Sequence, residues 1–395
     1  MTQNFNNINH MRNYLVAALC AVLFSSCSVG TYEGEKVPVV IITDLYTPAQ
    51  DPDDNFDILI PFALENIDVK AVVFDVTEEY RKLGERNGIR RDPGYIPVTQ
   101  LNYLFDTDVP CGCAPFTRLE SEEDAMLEAS AFETKGIELL FDVLEKSDKP
   151  VHIVSTGSCR PLAVAYNRNP KLMTSDKVAC VHVVAGTSSE GFMEWNIDLD
   201  RKAAARVLKS DMKMAVYPCA TDNGPFALGQ NNAYWAVRSL DFVFDMEPAL
   251  RNYCVYSMLS KTNIDYLSYL DAPLSEEDST EFAAYWRDKY LGCRHHIWTL
   301  ATWQQVAGLS LVSHPDGTAT LMKAAEIGKD DVVFDEGLKY VTLDVKDSGL
   351  FTFNYSETPT NITMYYRHDP QENERLMNMA LPEFYKSFQS SLASR

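Results

Sequence analysis

Residues 37–64 constrain the fold more than any other stretch, because a strand pattern there leads directly into a cluster of aspartates. Val37–Thr43 is a β-branched run, interrupted only by Pro38, of the kind that forms a buried strand of a parallel sheet. The acidic residues that follow are Asp44, Asp51, Asp53, Asp54 and Asp57. An apolar run at residues 58–64 then indicates a helix. Open α/β sheets bind ligands where strands end and helices begin, so this stretch predicts a ligand site.

The chemistry of the aspartate cluster indicates what that ligand is. Carboxylates held close together repel one another, and each is costly to keep ionised unless a cation or hydrogen-bond donors share the site. A hard divalent cation with oxygen ligands, calcium or magnesium, removes this repulsion. The alternative is that single aspartates only cap the following helix, whose dipole favours acids at its N-terminus. The cluster as a whole favours a metal or sugar site.

Composition excludes some classes of partner. The chain has 395 residues, of which 46% are hydrophobic and 23% charged, so it can bury an ample core. Its formal net charge is −21. Such a charge argues against nucleic-acid polymers and anionic membrane surfaces as partners.

The N-terminus has the pattern of an export signal. Arg12 precedes an apolar run at residues 14–24, which has the length of a signal core and is too short to span a bilayer. The run ends in LFSSCS at residues 23–28, which resembles a bacterial lipoprotein signal with Cys27 as the lipidated residue. The alternative is a plain secretory signal in which Cys27 is incidental. We expect a signal peptide at residues 1–27 and lipid anchoring in the cell envelope, in the periplasm or at the outer membrane.

Strand and helix patterns alternate through the first half of the chain. The predicted strands after the first are residues 69–76, 151–155, 178–185 and 213–218, and the helices between them are residues 130–146, 161–167 and 201–209. In the second half, helices are predicted at residues 231–251, 252–260, 281–290, 296–311 and 376–392, with antiparallel strands at residues 332–353. The alternation predicts an α/β fold with a mostly parallel open sheet and helices on both faces, plus a small antiparallel addition near the C-terminus. We find no linker and expect residues 28–395 to form a single domain.

Four segments carry a family resemblance when they are taken in chain order. They are IITD at 41–44 with DPDD at 51–54, VSTGSCRPLA at 154–163, VAG at 184–186, and EWNIDLDRKAA at 194–204. Together they resemble the nucleoside hydrolase superfamily, the inosine–uridine-preferring enzymes and their relatives. The matches span residues 37–222. The resemblance implies a Rossmann-like nucleoside hydrolase fold.

The resemblance also implies a metal site and a catalytic base. Asp44 and Asp54 would ligate a divalent cation, most simply calcium, together with the backbone carbonyl of Thr156. Asp53 would be the general base that takes a proton from the metal-bound water. That water would attack the anomeric carbon of an oxocarbenium-like transition state.

Substrate contacts follow from the fourth segment, where the resemblance implies that Glu194 and Asn196 hydrogen-bond ribose hydroxyls beside Trp195. Read without the resemblance, these are polar residues at the surface. The family also has an asparagine at the end of its second strand, and no asparagine stands near residues 77–78 here. Glu78 is the candidate to bond a hydroxyl in its place, or it is a solvated loop acid.

The family's C-terminal His-Asp pair is matched imperfectly by the segment RHHIW at 294–298. His295 would match the histidine that protonates the leaving base, and His296 would stand where the metal-binding aspartate belongs. An imidazole ligand would favour zinc or manganese over calcium. Either histidine could instead be a capping or buried structural residue. Asp288 and Asp316 are alternative sources of the missing ligand.

These expectations combine into one function and its rivals. The first is hydrolysis of the N-glycosidic bond of ribonucleosides, or of a related glycoside, by a metal-bound water with an aspartate base. The alternative is a catalytically degenerate member that only binds a sugar or nucleoside. A third reading is an interaction protein whose aspartate cluster is merely structural and binds no metal. A homo-oligomer is common in the family, although no interface pattern is visible in the sequence.

Overall fold

The computed structural model describes residues 34–49, 51, 53–81, 90–289 and 295–394. Lys36–Arg395 forms one compact unit by its internal contacts. The predicted signal segment and its Cys27 lie outside the described residues, so both stay predictions. None of the described helices is both long and apolar enough to cross a lipid bilayer.

A sheet of nine strands dominates the described part of the chain. In chain order its strands are β1 (Val37–Thr43), β3 (Ile67–Phe74), β5 (Cys111–Cys113), β6 (Val151–Ser155), β7 (Val178–Val183), β8 (Met214–Val216), β14 (Glu336–Val345), β15 (Phe351–Tyr355) and β16 (Ile362–Arg367). Their spatial order is β15-β14-β16-β8-β7-β6-β1-β3-β5. All pairs from β16 to β5 are parallel, whereas β14 pairs antiparallel with both β16 and β15. The predicted fold class, with its antiparallel C-terminal addition, is confirmed.

Three smaller sheets complete the described strands. They are formed by β2 (Tyr46–Thr47) with β4 (Asp92–Pro93), by β9 (Trp235–Val237) with β10 (His295–Ile297), and by β11 (Leu309–Ser313) with β12 (Ala319–Lys323) and β13 (Val332–Val333). Each of these pairings is antiparallel. The pairing of β9 with β10 matters most for the site, because it joins two segments that are distant in sequence.

Helices cover both faces of the sheet. The described helices are α1 (Asp53–Ala63), α2 (Tyr95–Phe105), α3 (Ala131–Lys146), α4 (Arg160–Arg168), α5 (Pro170–Met173), α6 (Trp195–Leu199), α7 (Arg201–Leu208), α8 (Pro248–Met258), α9 (Ser268–Asp271), α10 (Glu276–Lys289), α11 (Leu300–Ala307) and α12 (Pro370–Lys386). Short 3₁₀ segments lie at Glu78–Arg81, Asp241–Asp245, Ala324–Glu326 and Ser391–Ser394. Successive side chains of β1 point to opposite faces. Val39 and Ile41 pack with residues of α1, α8 and α12, while Val40 and Ile42 pack with residues of α3, α4 and α7.

The helix predicted at residues 231–251 is wrong. The chain there forms β9 and a 3₁₀ segment, and α8 begins only at Pro248. Proline fits the first turn of a helix but not its interior, so it marks a start rather than a continuation. The Glu247 side chain accepts hydrogen bonds from the amides of Ala249 and Leu250, which caps that start.

The helix predicted at residues 296–311 is also wrong at both ends. His295–Ile297 is strand β10, and Leu309–Ser313 is strand β11. Only α11 between them is helical, and it ends at Gly308, which has a left-handed φ of 66°. Glycine adopts this conformation at little cost and commonly ends helices. A run of apolar residues therefore concealed three short elements.

The carboxyl ends of the parallel strands meet at one edge of the sheet. Asp44 follows β1, Asp75 follows β3, Thr156 follows β6 and Val184 follows β7. Backbone bonds tie these ends together, since the amide of Asp75 donates to Thr43 O and that of Thr156 donates to Ile42 O. Polar residues from separate parts of the sequence are thereby collected at the edge where α/β folds bind ligands.

Candidate active site

A cavity of about 440 Å³ opens at this edge of the sheet. Its acidic lining residues are Asp44, Asp51, Asp53, Asp54, Asp57, Glu194 and Asp198. Its aromatic lining residues are Phe192, Trp195, Phe226 and Trp298. The remaining lining residues include Thr156, Met193, Cys219 and Thr299. The volume suits a small ligand, and the sequence-predicted aspartates do lie together.

Two elements position the acidic floor of the cavity, which we define as Asp44, Asp53, Asp54 and Asp57. Asp44 directly follows strand β1, while the other three lie in the first two turns of α1. Carboxylates in the first turn are favoured by the helix dipole. Asp51 fixes the entry to the helix, because its Oδ1 accepts a hydrogen bond from the Asp53 amide at 3.0 Å. Capping and ligand binding are therefore compatible roles within one cluster.

Burial and mutual repulsion act on the floor carboxyls. Burial raises the pKa of Asp44 to about 8, and the charge of Asp75 adds to the rise. Burial also raises the pKa values of Asp53, Asp54 and Asp57 well above the ordinary range, and neighbouring aspartates add to each. A bound cation would stabilise the ionised forms and oppose these rises.

The donor set of the cavity fits a hard cation in its chemistry. Asp44 and Asp54 offer carboxylate oxygens, and Thr156 lines the same cavity, with a carbonyl that accepts one hydrogen bond from Asn196 and is the candidate neutral donor. Within the described residues, no three His, Cys, Asp or Glu side chains are grouped closely enough to hold a metal by themselves. The fit to a cation is therefore one of donor chemistry, because carboxylate and carbonyl oxygens are the ligands that a hard cation prefers.

His295 pairs with Asp53 behind the cavity. Its Nε2 lies 2.9 Å from Asp53 Oδ1, and both side chains are buried. Burial lowers the pKa of His295 to about 4. Among the described residues, the lining contains Asp53 but not His295. The contact with the imidazole is in a position to orient the Asp53 carboxylate.

The contacts that the structure gives for His296 are with aromatic side chains next to the cavity. Its Nδ1 lies 2.9 Å from the Tyr234 hydroxyl, and its ring centroid lies 4.4 Å from that of Phe226. His296 is buried, and it is not among the described residues that line the cavity. The environment shown here matches the structural alternative raised for this histidine.

Glu194, Trp195 and Asn196 all line the cavity. Glu194 caps α6, because its carboxylate accepts hydrogen bonds from the amides of Gly186, Asn196 and Ile197. Burial nevertheless raises its pKa to about 7, with these bonds opposing the rise. The Asn196 side-chain nitrogen donates to the carbonyls of Thr156, at 3.2 Å, and of Val184. Glu194, Trp195 and Asn196 therefore lie together at the cavity, and the hydrogen bonds of Glu194 and Asn196 also hold the local backbone.

Three other candidates lie elsewhere or outside the description. Glu78 is a solvated acid that forms ion pairs with Arg81 and Arg90 and does not line the cavity. Asp316 is exposed and accepts hydrogen bonds from Thr318 in its own turn. The side chain of Asp288 lies outside the described part of the structure.

Sequence reasoning missed a buried ion pair beside the site. Asp75 and Arg160 are fully buried, with Arg160 Nη2 at 2.9 Å from Asp75 Oδ1. The other carboxylate oxygen accepts from the Ser158 amide, which fixes the turn after β6. A Cβ at Gly157 would lie 2.7 Å from that oxygen, so the turn needs glycine there. The predicted strand at residues 69–76 contained Asp75, whereas the observed β3 ends at Phe74 and Asp75 directly follows it.

The aromatic rim of the cavity, which we define as Trp195, Phe226 and Trp298, was predicted only in part. Trp195 is 48% exposed and Phe226 is 56% exposed, which is unusual for side chains of this size. Trp298 is fixed by a hydrogen bond from its Nε1 to Cys219 O at 3.1 Å. Phe226 lies in a segment without a distinctive motif, Trp298 ends the RHHIW segment, and only the fold brings the two side chains together.

No protein-family model matches the chain. Part of the chain is similar to a ribonucleoside hydrolase. The particular relative is the pyrimidine-specific ribonucleoside hydrolase RihA of Escherichia coli O127:H6 (strain E2348/69 / EPEC), at 27% identity over 184 residues. The match covers 42% of this chain and 56% of that protein.

Solved structures give weaker likenesses. A plant nucleoside hydrolase, PpNRh1, has 15% identity and a TM-score of 0.46, covering 89% of this chain and 99% of its own. An inosine-guanosine nucleoside hydrolase has 14% identity and a TM-score of 0.49, covering 89% and 98%. A purine-preferring ribonucleoside hydrolase from Gardnerella vaginalis has 12% identity and a TM-score of 0.48, covering 88% and 99%. The fold assignment therefore rests on the strand pairing described above.

Proposed function

We propose that this chain hydrolyses the N-glycosidic bond of ribonucleosides or of a closely related glycoside. The observation that carries the proposal is the position of Asp53. It lines the cavity amid the floor carboxylates, and its carboxylate is held from behind by His295 at 2.9 Å. The partial similarity to a ribonucleoside hydrolase supports the same reaction class.

In this mechanism Asp53 is the general base. A carboxylate whose pKa is raised by burial is better matched to proton transfer near neutral pH than an exposed one. His295 contacts one oxygen of Asp53, and the other oxygen would accept a proton from water. The water then adds to the anomeric carbon as the bond to the leaving ring breaks.

Asp44, Asp54 and the carbonyl of Thr156 would hold a divalent cation beside this base. Such a cation would bind the sugar hydroxyls and lower the pKa of water. All of these donors are oxygens, and the imidazole of His296 is directed to Tyr234. The donor set therefore favours a hard cation such as calcium or magnesium over zinc.

The sugar would be held by the α6 segment. Asn196 commits its amide nitrogen to two backbone carbonyls, so it would meet a sugar hydroxyl through its amide oxygen. Glu194 is occupied by the amides that it caps, and would accept a hydroxyl hydrogen bond in addition. Trp195 would cover the ligand from the solvent side.

The experiment measures metal content and ribose release on the same preparation of the full chain. Inosine, uridine, adenosine and guanosine are each incubated with and without a chelator. We expect bound divalent cation and chelator-sensitive ribose release. Release that persists after complete removal of the cation would contradict the metal role, and no release from any substrate would contradict the proposed reaction.

A pair of variants tests the assignment of the metal site. Asp44→Ala should abolish thermal stabilisation by added calcium, because a cation bound only by the folded protein adds about 2.7 kcal/mol at a concentration one hundred times its Kd. Asp316→Ala is the matched control, since this acid is exposed and distant in sequence from the floor. Equal stabilisation of both variants by calcium would contradict the assignment.

A second candidate function is binding of a sugar or nucleoside without turnover. The observation that favours it is the absence of His295 from the described lining, which removes the expected donor of a proton to the leaving base. Bound cation and measurable nucleoside affinity without ribose release would select this alternative.

We also propose that the chain is tethered to the cell envelope by a lipid on Cys27. The support is the sequence pattern that ends at this residue. A single acyl chain binds membranes only marginally, whereas multiple acylation gives a stable anchor. Cys27→Ser should move the protein from the membrane fraction to the soluble fraction, and unchanged fractionation would contradict the anchor.

A further inference from the structure

We propose that the leaving group for which this site is built is a cationic heteroaromatic ring, such as an N-ribosylated pyridinium or an N-alkylated purine. The inference rests on the proposed function and names its substrate class. It combines three observations on the same cavity: its charge, its aromatic rim and the position of His295. Each of them favours a positive ring over a neutral base.

The charge of the lining is strongly one-sided. Seven acidic residues line the cavity, and among the described lining residues there is no lysine, arginine or histidine. Asp198 has a basic partner outside the lining, Arg201 at 2.6 Å. With acidic groups and no basic side chain in the described lining, the cavity favours a cationic ligand over phosphorylated or carboxylated ones.

The aromatic rim supplies the second observation. Trp195 and Phe226 line the cavity and are about half exposed. Phe226 and Trp298 lie side by side, with ring centroids 6.1 Å apart. Aromatic faces attract cations, tryptophan most strongly, and sites for quaternary ammonium ligands are built from such rings. A flat cationic ring would gain both stacking and cation–π attraction at this rim.

The third observation concerns the proton that a neutral base needs when it leaves. When the C1′–N bond of a neutral nucleoside breaks, the electron pair moves to the base, which becomes an anion unless an acid protonates it. His295, the residue expected to be that acid, contacts Asp53 and does not line the cavity in the described structure. A cationic ring takes the same electron pair and becomes neutral, so it needs no proton. Water adds to C1′ and gives its proton to Asp53, which balances the reaction.

A matched pair of substrates tests the inference. Guanosine and 7-methylguanosine share one ring system, but the second is cationic in mildly acidic buffer. We expect the full chain to favour 7-methylguanosine in kcat/KM by at least about tenfold, after each rate is divided by its uncatalysed rate. Equal or greater preference for guanosine would overturn the inference while leaving the proposed function intact.

A binding assay separates failure of the inference from failure of the proposed function. The probes are 1-methylnicotinamide, which is cationic, and nicotinamide, which is neutral, with tryptophan fluorescence as the readout. If no glycoside is turned over, tighter binding of 1-methylnicotinamide would still support the cationic site. Equal binding of the two probes would overturn it.

Substitution at the rim identifies where the preference arises. Phe226→Leu should reduce the preference for the cationic member of both pairs by about threefold to tenfold, because leucine keeps apolar area but has no aromatic face. Phe132→Leu is the matched control, since Phe132 is 54% exposed in α3 and lies outside the lining. A preference unchanged in Phe226→Leu would overturn the assignment of the rim.

Discussion

The acidic floor and the aromatic rim of the cavity are built in opposite ways. The floor comes from one continuous stretch, the end of β1 and the start of α1, and its carboxyls are buried or half-buried. The rim comes from three separate segments, and two of its three side chains are about half exposed. We expect the floor to determine the reaction that the site catalyses, because its carboxyl groups cannot move without disturbing the sheet. A rim of this kind can vary with the ligand, and we expect it to determine selectivity.

The largest expected effect is at the floor, from Asp53→Asn. Replacing a general base lowers kcat by about 10²- to 10⁴-fold, while an amide of the same size leaves the cavity intact. The measurement is kcat for ribose release, together with metal content, which should not change. Asp316→Asn serves as the control acid and should retain activity. Full activity in Asp53→Asn would show that Asp53 is not the general base.

The next largest effect is expected beside the floor, at Arg160. Arg160→Met leaves Asp75 charged and fully buried without its partner, which costs about 3–5 kcal/mol of unfolding free energy. The double variant Asp75→Asn/Arg160→Met should recover part of this loss, because no unpaired charge remains. Chemical denaturation of both variants measures the difference. A double variant no more stable than Arg160→Met would show that the ion pair is not what stabilises the turn after β6.

The floor was predictable from the sequence because its residues are neighbours along the chain. A strand pattern followed by aspartates requires only local rules, and the carboxyl end of a parallel strand is where such residues become useful. The role of Asp75 was missed only because the end of β3 was placed two residues too late. Because of this error of two residues, the solvated Glu78 was chosen as a candidate site residue and the buried Asp75 was overlooked.

The rim was not predictable by the same rules. Phe226 precedes β9, Trp298 follows β10, and the antiparallel pairing of these strands is a long-range contact without a local signal. The predicted helices at residues 231–251 and 296–311 concealed both strands, because apolar runs of this length suit either structure. His295 and His296 alternate along β10, so their side chains face opposite ways. One contacts Asp53 and the other contacts Tyr234.

Glu194 lies between floor and rim, and its pH dependence can be tested separately. Its pKa is raised from 4.5 to about 7 by burial, so the folded state holds the proton more tightly than the unfolded state. The folded protein is therefore favoured below pH 4.5, and this advantage is lost as the pH rises towards 7. The loss is up to about 3 kcal/mol for a shift of this size. Unfolding free energies at several pH values should show it.

Glu194→Gln provides the comparison for that measurement, because glutamine does not ionise. The stability of the original protein relative to this variant should fall as the pH rises from 4.5 to 7. Other carboxyls titrate in both proteins and cancel in the difference. A difference that stays constant with pH would show that Glu194 is ionised throughout, stabilised by the amides that it caps.

The smallest effect is expected at the rim, from Trp195→Leu. Trp195 is 48% exposed at the start of α6, and its ring centroid lies 5.0 Å from that of Tyr80. Loss of an exposed aromatic contact is worth about 0.5–1.5 kcal/mol, so KM should rise by a few-fold to about tenfold. The value of kcat should not change, because Trp195 does not reach the floor chemistry. If Trp195→Leu lowered kcat as much as Asp53→Asn does, the rim would contribute to the transition state. The proposed distinction between floor and rim would then be wrong.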